Sequence, residues 1–176
     1  MDMEKAGTVS FHSPRPPRPL RWRRFRSEKG ATMLEAAIVT PVLLLLTFSI
    51  VDFASMFYVY LALENGVSQA TRYAVTGQQW DDPSNPGSKL SRVDSIKAAM
   101  RDATPTLTIP DTAFTFSNMP VGGSGWVAGT GAPGSIEKLT IDYTWDFMTP
   151  IIRPFFSNGQ IHITVNSAMK NEAKWQ

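Results

Sequence analysis

The chain has 176 residues, 43% of them hydrophobic, with a formal net charge of +2 and no cysteine. The length suits one modest domain, and the missing cysteine excludes a disulfide framework and Cys-ligated metal sites. The pI of about 9.0 is no argument for a nucleic-acid partner, because the charge is unevenly placed: eight Lys/Arg stand against three Asp/Glu over residues 1–30, and nine against twelve over residues 31–176.

Residues 1–30 read as a basic, proline-rich leader. Pro14, Pro16, Pro17 and Pro19 exclude a helix there, since each removes a backbone donor and restricts the residue before it. Arg21, Arg23, Arg24, Arg26 and Lys29 follow, directly ahead of an apolar run from Ala36 to Val51. Positive charge beside a membrane span stays cytoplasmic, so the tract orients the next helix, with its N-terminal side in the cytoplasm. An ordinary secretory signal has its cleavage site after the apolar region. Here the candidate cut, after Gly30, precedes it and would leave the helix behind as an anchor.

Residues 31–77 are expected to form one long helix. A span needs about 20 residues, and counting from Met33 places Asp52 near the outer interface. Phe53, Phe57, Tyr58 and Tyr60 then resemble an interfacial aromatic belt. Pro41 should kink or locally unwind the helix. Beyond the bilayer, Leu61, Leu63, Val67, Ala70, Ala74 and Val75 continue an apolar stripe, with Glu64, Gln69 and Arg72 on a wetter face. Gly66 reads as a local weakness, and Gly77 as the C-terminal cap.

Residues 78–176 are expected to form an α+β domain on the outer side of the membrane. Asp81-Asp82-Pro83 and Asn85-Pro86-Gly87 are turn sequences. A short helix runs from about Ser91 to Ala103, with Ser91 and Asp94 as a capping box. The period then changes to two: Phe114 and Phe116 share one face of a strand over 112–117. Leu139 to Phe147 alternate with polar residues, as do Ile161, Ile163 and Val165, giving half-buried strands of an antiparallel sheet. The sheet's apolar face should pack on the outer half of the long helix and on the short helix, with Pro150–Phe156 as a compact apolar turn.

No catalytic, metal or cofactor site is expected. Gly129, Gly131 and Gly134 match G-x-G-x-x-G, but a dinucleotide site needs a strand before and a helix after. Pro133 and a following strand make 121–134 a flexible hairpin loop instead. His12 lies in the leader and His162 on a wet strand face. Asp142 and Asp146 share an exposed strand face and read as surface charge.

Gly30 and Glu35 are different. A glycine before the cut permits a close, extended fit in a protease cleft. Cleavage would free an amine at Ala31, and Glu35 could pair with such an amine on its own chain or a neighbour's. That offsets the cost of a carboxylate in lipid.

The run from Gly30 to Pro41, with Asp52-Phe53 and the Ala70–Gly77 close of the helix, resembles type IV prepilins and pseudopilins. The more specific likeness is to the TadE-like family of tight-adherence (Tad/Flp) pilus systems. The strand into Ser167–Glu172 is similar to the family's ending. The resemblance implies a pilin-like fold and cleavage by a prepilin peptidase between Gly30 and Ala31. It further implies a minor pseudopilin in the bacterial inner membrane that works with other Tad pilins and the assembly platform. Glu35 would then serve processing or subunit registration. Packing in lipid would use small and kinked residues such as Ala36, Ala37 and Pro41. The rival readings are an uncleaved, signal-anchored periplasmic binding module and an anchored enzyme.

Overall fold

The computed structural model describes residues 28–175, so the Pro-rich and basic tract read over residues 1–27 lies outside the described residues. Two units divide the chain, residues 1–39 and residues 40–176. The fold is α+β: a long apolar helix, a short helix and a four-stranded antiparallel sheet.

Helix α1 covers Glu28–Val75 and continues through Pro41. It therefore starts ahead of the expected boundary at residue 31 and ends ahead of 77. From Gly30 on it is long and apolar enough to cross a membrane, and its most apolar stretch has no buried share. That is compatible with single-pass membrane anchoring. Hydroxyls in this stretch are satisfied within the helix: Thr47 donates to the Leu43 carbonyl (2.8 Å), Ser49 to Leu45 (2.7 Å) and Ser55 to Val51 (2.9 Å). Such internal pairing is what hydrocarbon demands of polar groups. Past Val75 the chain turns at Gly77, whose φ of 67° is left-handed, as a glycine C-cap allows.

In the second unit, α2 spans Arg92–Ala103. Ser91 caps it by accepting from the Asp94 N–H (3.1 Å), and its hydroxyl donates to the Asp94 carboxylate (2.6 Å). The box thus closes through the two side chains rather than by Asp94 reaching back to the backbone. Strand β1 covers Phe114–Met119, two residues later than expected, because a 3-10 turn occupies Asp111–Ala113. Strand β2 is the pair Val127–Ala128, β3 is Ile136–Asp146 and β4 is Gln160–Lys170. The sheet order is β2-β1-β3-β4. Register sets Phe116 against Leu139 and Ile141 against Val165, which gathers the apolar residues on one face.

That face packs as expected on the second half of α1 and on α2. Val59, Leu63, Val67, Ala70 and Ala74 of α1 are buried with Ile96 and Met100 of α2 and with Leu139, Ile141, Ile163 and Val165 of the sheet. Two details correct the sequence reading. Leu61 is 46% exposed, so the buried stripe runs through Val59 and Leu63 instead. Gly66 is a contact rather than a weakness: a Cβ there would lie 2.5 Å from Thr104 Cγ2 and 2.9 Å from Met100 Sδ. The missing side chain lets α2 approach α1 closely.

Candidate functional site

Gly30 and Ala31 lie in the first turn of α1 and are exposed, and Glu35, one turn further on, is exposed as well. The Gly30–Ala31 bond is helical here, not extended as a protease cleft would need. Ala31 and Glu35 are four residues apart and so share one helix face.

Asp52 occupies a very different position. It is fully buried in the second unit. Its carboxylate accepts from the backbone N–H of Met148 (3.1 Å) and of Thr149 (3.2 Å), and from the Thr149 hydroxyl. Charge-assisted bonds of this kind are the strong ones, so Asp52 ties α1 to the connector between β3 and β4. Phe53 adds an edge-to-face contact with Phe147 (6.0 Å), which stacks on Phe156 (4.2 Å). The sequence reading made Asp52 an interfacial charge and missed its partners.

A second polar cluster closes the other end of the unit, around Arg92. A cation in the first turn of α2 is set against that helix's dipole. Its guanidinium reaches instead to the end of α1, donating to the Ala74 carbonyl (3.0 Å), one of the orphan acceptors of a helix terminus. It also donates to the Gly131 carbonyl, the Glu137 carboxylate and the Asn171 side-chain oxygen. The Trp175 ring lies 3.9 Å from the guanidinium carbon. Glu137 is wholly buried on β3, in phase with Leu139 and Ile141. Burial pushes the Glu137 carboxyl above its usual range, against the pull of Arg92, and pushes Arg92 down, against the pull of Glu137. Asn171 donates to the Ala132 carbonyl (3.1 Å), and the Glu172 N–H to the Val75 carbonyl (3.1 Å). The cluster is a clasp that joins α1, α2, β3 and the C-terminal segment. None of Arg92, Glu137 or Asn171 was read as a site residue.

The family comparison falls on α1. Residues 30–72 match the family model described as TadE-like protein. This bears out the resemblance over the segment that holds Gly30, Ala31, Glu35, Pro41, Asp52 and Gly66. The TadE-like segment ends before the Ala74 carbonyl, so the match does not reach the Arg92 clasp or the sheet. Comparison with curated proteins and with solved structures finds no match.

Outside the TadE-like segment, the remaining candidates stand as surface features. His162 is exposed and its Nδ1 lies 3.1 Å from the Thr144 hydroxyl. Asp142 accepts from Thr164 and Asp146 from Gln160 on the same exposed face. Among the described residues no cluster of three or more His, Asp or Glu is placed to hold a metal ion. The glycine-rich segment, expected as a flexible hairpin loop, returns antiparallel to β1. It carries β2, the Gly129 N–H donates to the Phe116 carbonyl (2.9 Å), and the Gly134 N–H donates to the Glu172 carbonyl (2.9 Å). β3 follows it, so no helix N-terminus meets the glycines.

Proposed function

We propose that this protein is a minor pseudopilin that acts in assembly of a Tad pilus and has no catalytic activity of its own. The observation that carries the reading is the match of residues 30–72 to TadE-like proteins, on a helix long and apolar enough to span a bilayer. In this reading a prepilin peptidase cuts between Gly30 and Ala31 on the cytoplasmic side of the inner membrane, and the sheet domain stands in the periplasm. The basic leader supports that orientation. The bond sits in the first helical turn, so the turn must open to enter the enzyme. Glycine makes this easy, since it disfavours the helix by about 1 kcal/mol relative to alanine.

The cut makes Ala31 the first residue, with a free amine, and leaves Glu35 near a helix N-terminus, where the dipole favours a carboxylate. Glu35 then pairs with the amine of a neighbouring subunit and sets the register of helix against helix. The partners are the prepilin peptidase, other Tad pilins and pseudopilins, the inner-membrane assembly platform and the bilayer itself. Replacing Glu35→Ala tests the assignment: pilus assembly in cells carrying this variant should fall while the protein still accumulates in the membrane. Normal assembly with Glu35→Ala would remove the carboxylate from the mechanism.

A further inference from the structure

We infer that the connector between β3 and β4, Met148–Phe156, is itself a membrane element, immersed beside α1 in the leaflet that faces the sheet domain. The inference rests on the reading of α1 as a membrane anchor. The connector lies alongside the apolar part of the helix. Ile151 lines one apolar crevice with Thr40, Pro41, Leu44 and Leu45. Ile152, Phe155 and Phe156 line another with Leu45, Ser49 and Phe53. Helix residues 41 to 53 are therefore flanked by the connector, a stretch of about 18 Å at 1.5 Å per residue.

Helix length decides where that stretch lies. If residues 41–53 stayed in water, only residues 30–40 would be left of the uncharged run and its approach, about 16 Å of helix. A hydrocarbon core of about 30 Å cannot be crossed by that. The anchor thus needs residues 41–53 in the bilayer, and the connector goes with them.

The connector's composition and bonding suit lipid. Met148 is 63%, Ile151 42% and Phe155 71% exposed, an apolar surface continuous with exposed Val42, Leu44 and Leu46 of α1. Of its nine residues, two have no backbone donor and five have theirs paired. Pro150 and Pro154 have none, and Asp52 takes those of Met148 and Thr149. The Ile152 N–H donates to Thr149, Phe155 to Ile152 and Phe156 to Arg153. An unsatisfied backbone group costs several kcal/mol in hydrocarbon, so this pairing lowers the cost of immersion. The buried Asp52 carboxylate has a purpose here that an exposed loop in water would not require. Arg153 is exposed, with its Nε held by the Phe147 carbonyl (2.8 Å); its free end reaches up to lipid phosphates, as long cationic side chains do at membrane interfaces.

The absence of cysteine makes a direct depth measurement simple. Single cysteines are placed in the full chain by Phe155→Cys, by Ile151→Cys as a second connector position, by Leu46→Cys on α1 and by Val121→Cys in the glycine-rich segment. Each is spin-labelled in phosphatidylcholine/phosphatidylglycerol vesicles, and its collision rates with oxygen and with a water-soluble nickel chelate are compared. The inference expects the oxygen-to-nickel ratio at residues 155 and 151 to match that at 46 and to exceed that at 121 several-fold. A ratio at 155 and 151 equal to that at 121, with 46 immersed, overturns the inference and leaves the anchor standing. Labels at 155 and 151 shielded from both reagents overturn it in favour of a second copy of the chain on this face. Nickel access at 46 overturns the anchor reading and the inference together.

Discussion

Arg92 and Glu137 sit where α1, α2, β3 and the C-terminal segment of the second unit meet. Removing one partner of a buried ion pair costs about 3–5 kcal/mol, because the other charge is left without compensation. Arg92→Met should therefore lower thermal stability strongly, by about 3 kcal/mol. Combining Arg92→Met with Glu137→Met should recover a large part of that loss, and a thermal-unfolding cycle of wild type, both single variants and the double variant measures it. Additive single-site losses would mean that the two charges do not act as a pair. The same carboxyl sets a pH response. Because burial raises it in the folded state, the stability it contributes is complete below the ordinary carboxyl range and is lost as pH rises through its raised value. Asp111 runs the other way: its hydrogen bond with Arg101, and the charges of Lys97 and Arg101, hold it below the ordinary range. Its contribution is present above that range and fades as pH falls. Glu137→Gln keeps the shape and an acceptor for Arg92 but cannot titrate. The variant's melting temperature relative to wild type should thus climb as pH is raised from about 4 to 8. A constant difference would contradict the assignment.

At the scale of elements, the crossing of α1 and α2 turns on Gly66. Were this glycine only a weak point, Gly66→Ala would stabilise the helix by about 1 kcal/mol. The close approach of Thr104 and Met100 predicts the opposite sign, since overpacking costs about 1–3 kcal/mol. Gly66→Ala should lower the melting temperature, and adding Thr104→Ser, which removes the crowding Cγ2 and keeps the hydroxyl, should restore most of it. A higher melting temperature for Gly66→Ala alone would remove the packing role. The elements themselves were legible from the sequence because their signals are local. An uncharged run gives α1, the Ser91 cap gives α2, and alternation from Leu139 and Ile161 gives β3 and β4. Glu137 had a usable signal, for it keeps the parity of Leu139 and Ile141, and a carboxylate in phase with a buried face requires a cation. Which cation was not legible, since Arg92 lies 45 residues away in the chain. Asp52 failed for the same reason, its donors being 96 and 97 residues off. The Gly66 contact was hidden because α2's approach is a tertiary fact, and propensity alone sees a glycine as a defect.

For the molecule as a whole, the two ends of the TadE-like segment carry different work. Its start holds Gly30, Ala31 and Glu35, exposed on α1, which the proposed function assigns to a peptidase and to neighbouring helices. Its later residues supply Asp52 to the connector and Val59, Leu63, Val67 and Ala70 to the core. Cleavage after Gly30 removes none of residues 40–176, so in the proposed reading the trimmed protein should melt with the same profile as the full chain in the same lipid. The intact mass of the protein extracted from the membranes of cells with an active prepilin peptidase is the most direct test of the processed-pseudopilin reading. A mass corresponding to residues 31–176, with Ala31 at the amino terminus, is the predicted result. A mass that retains residues 1–30 would contradict it and leave an uncleaved, membrane-anchored binding module.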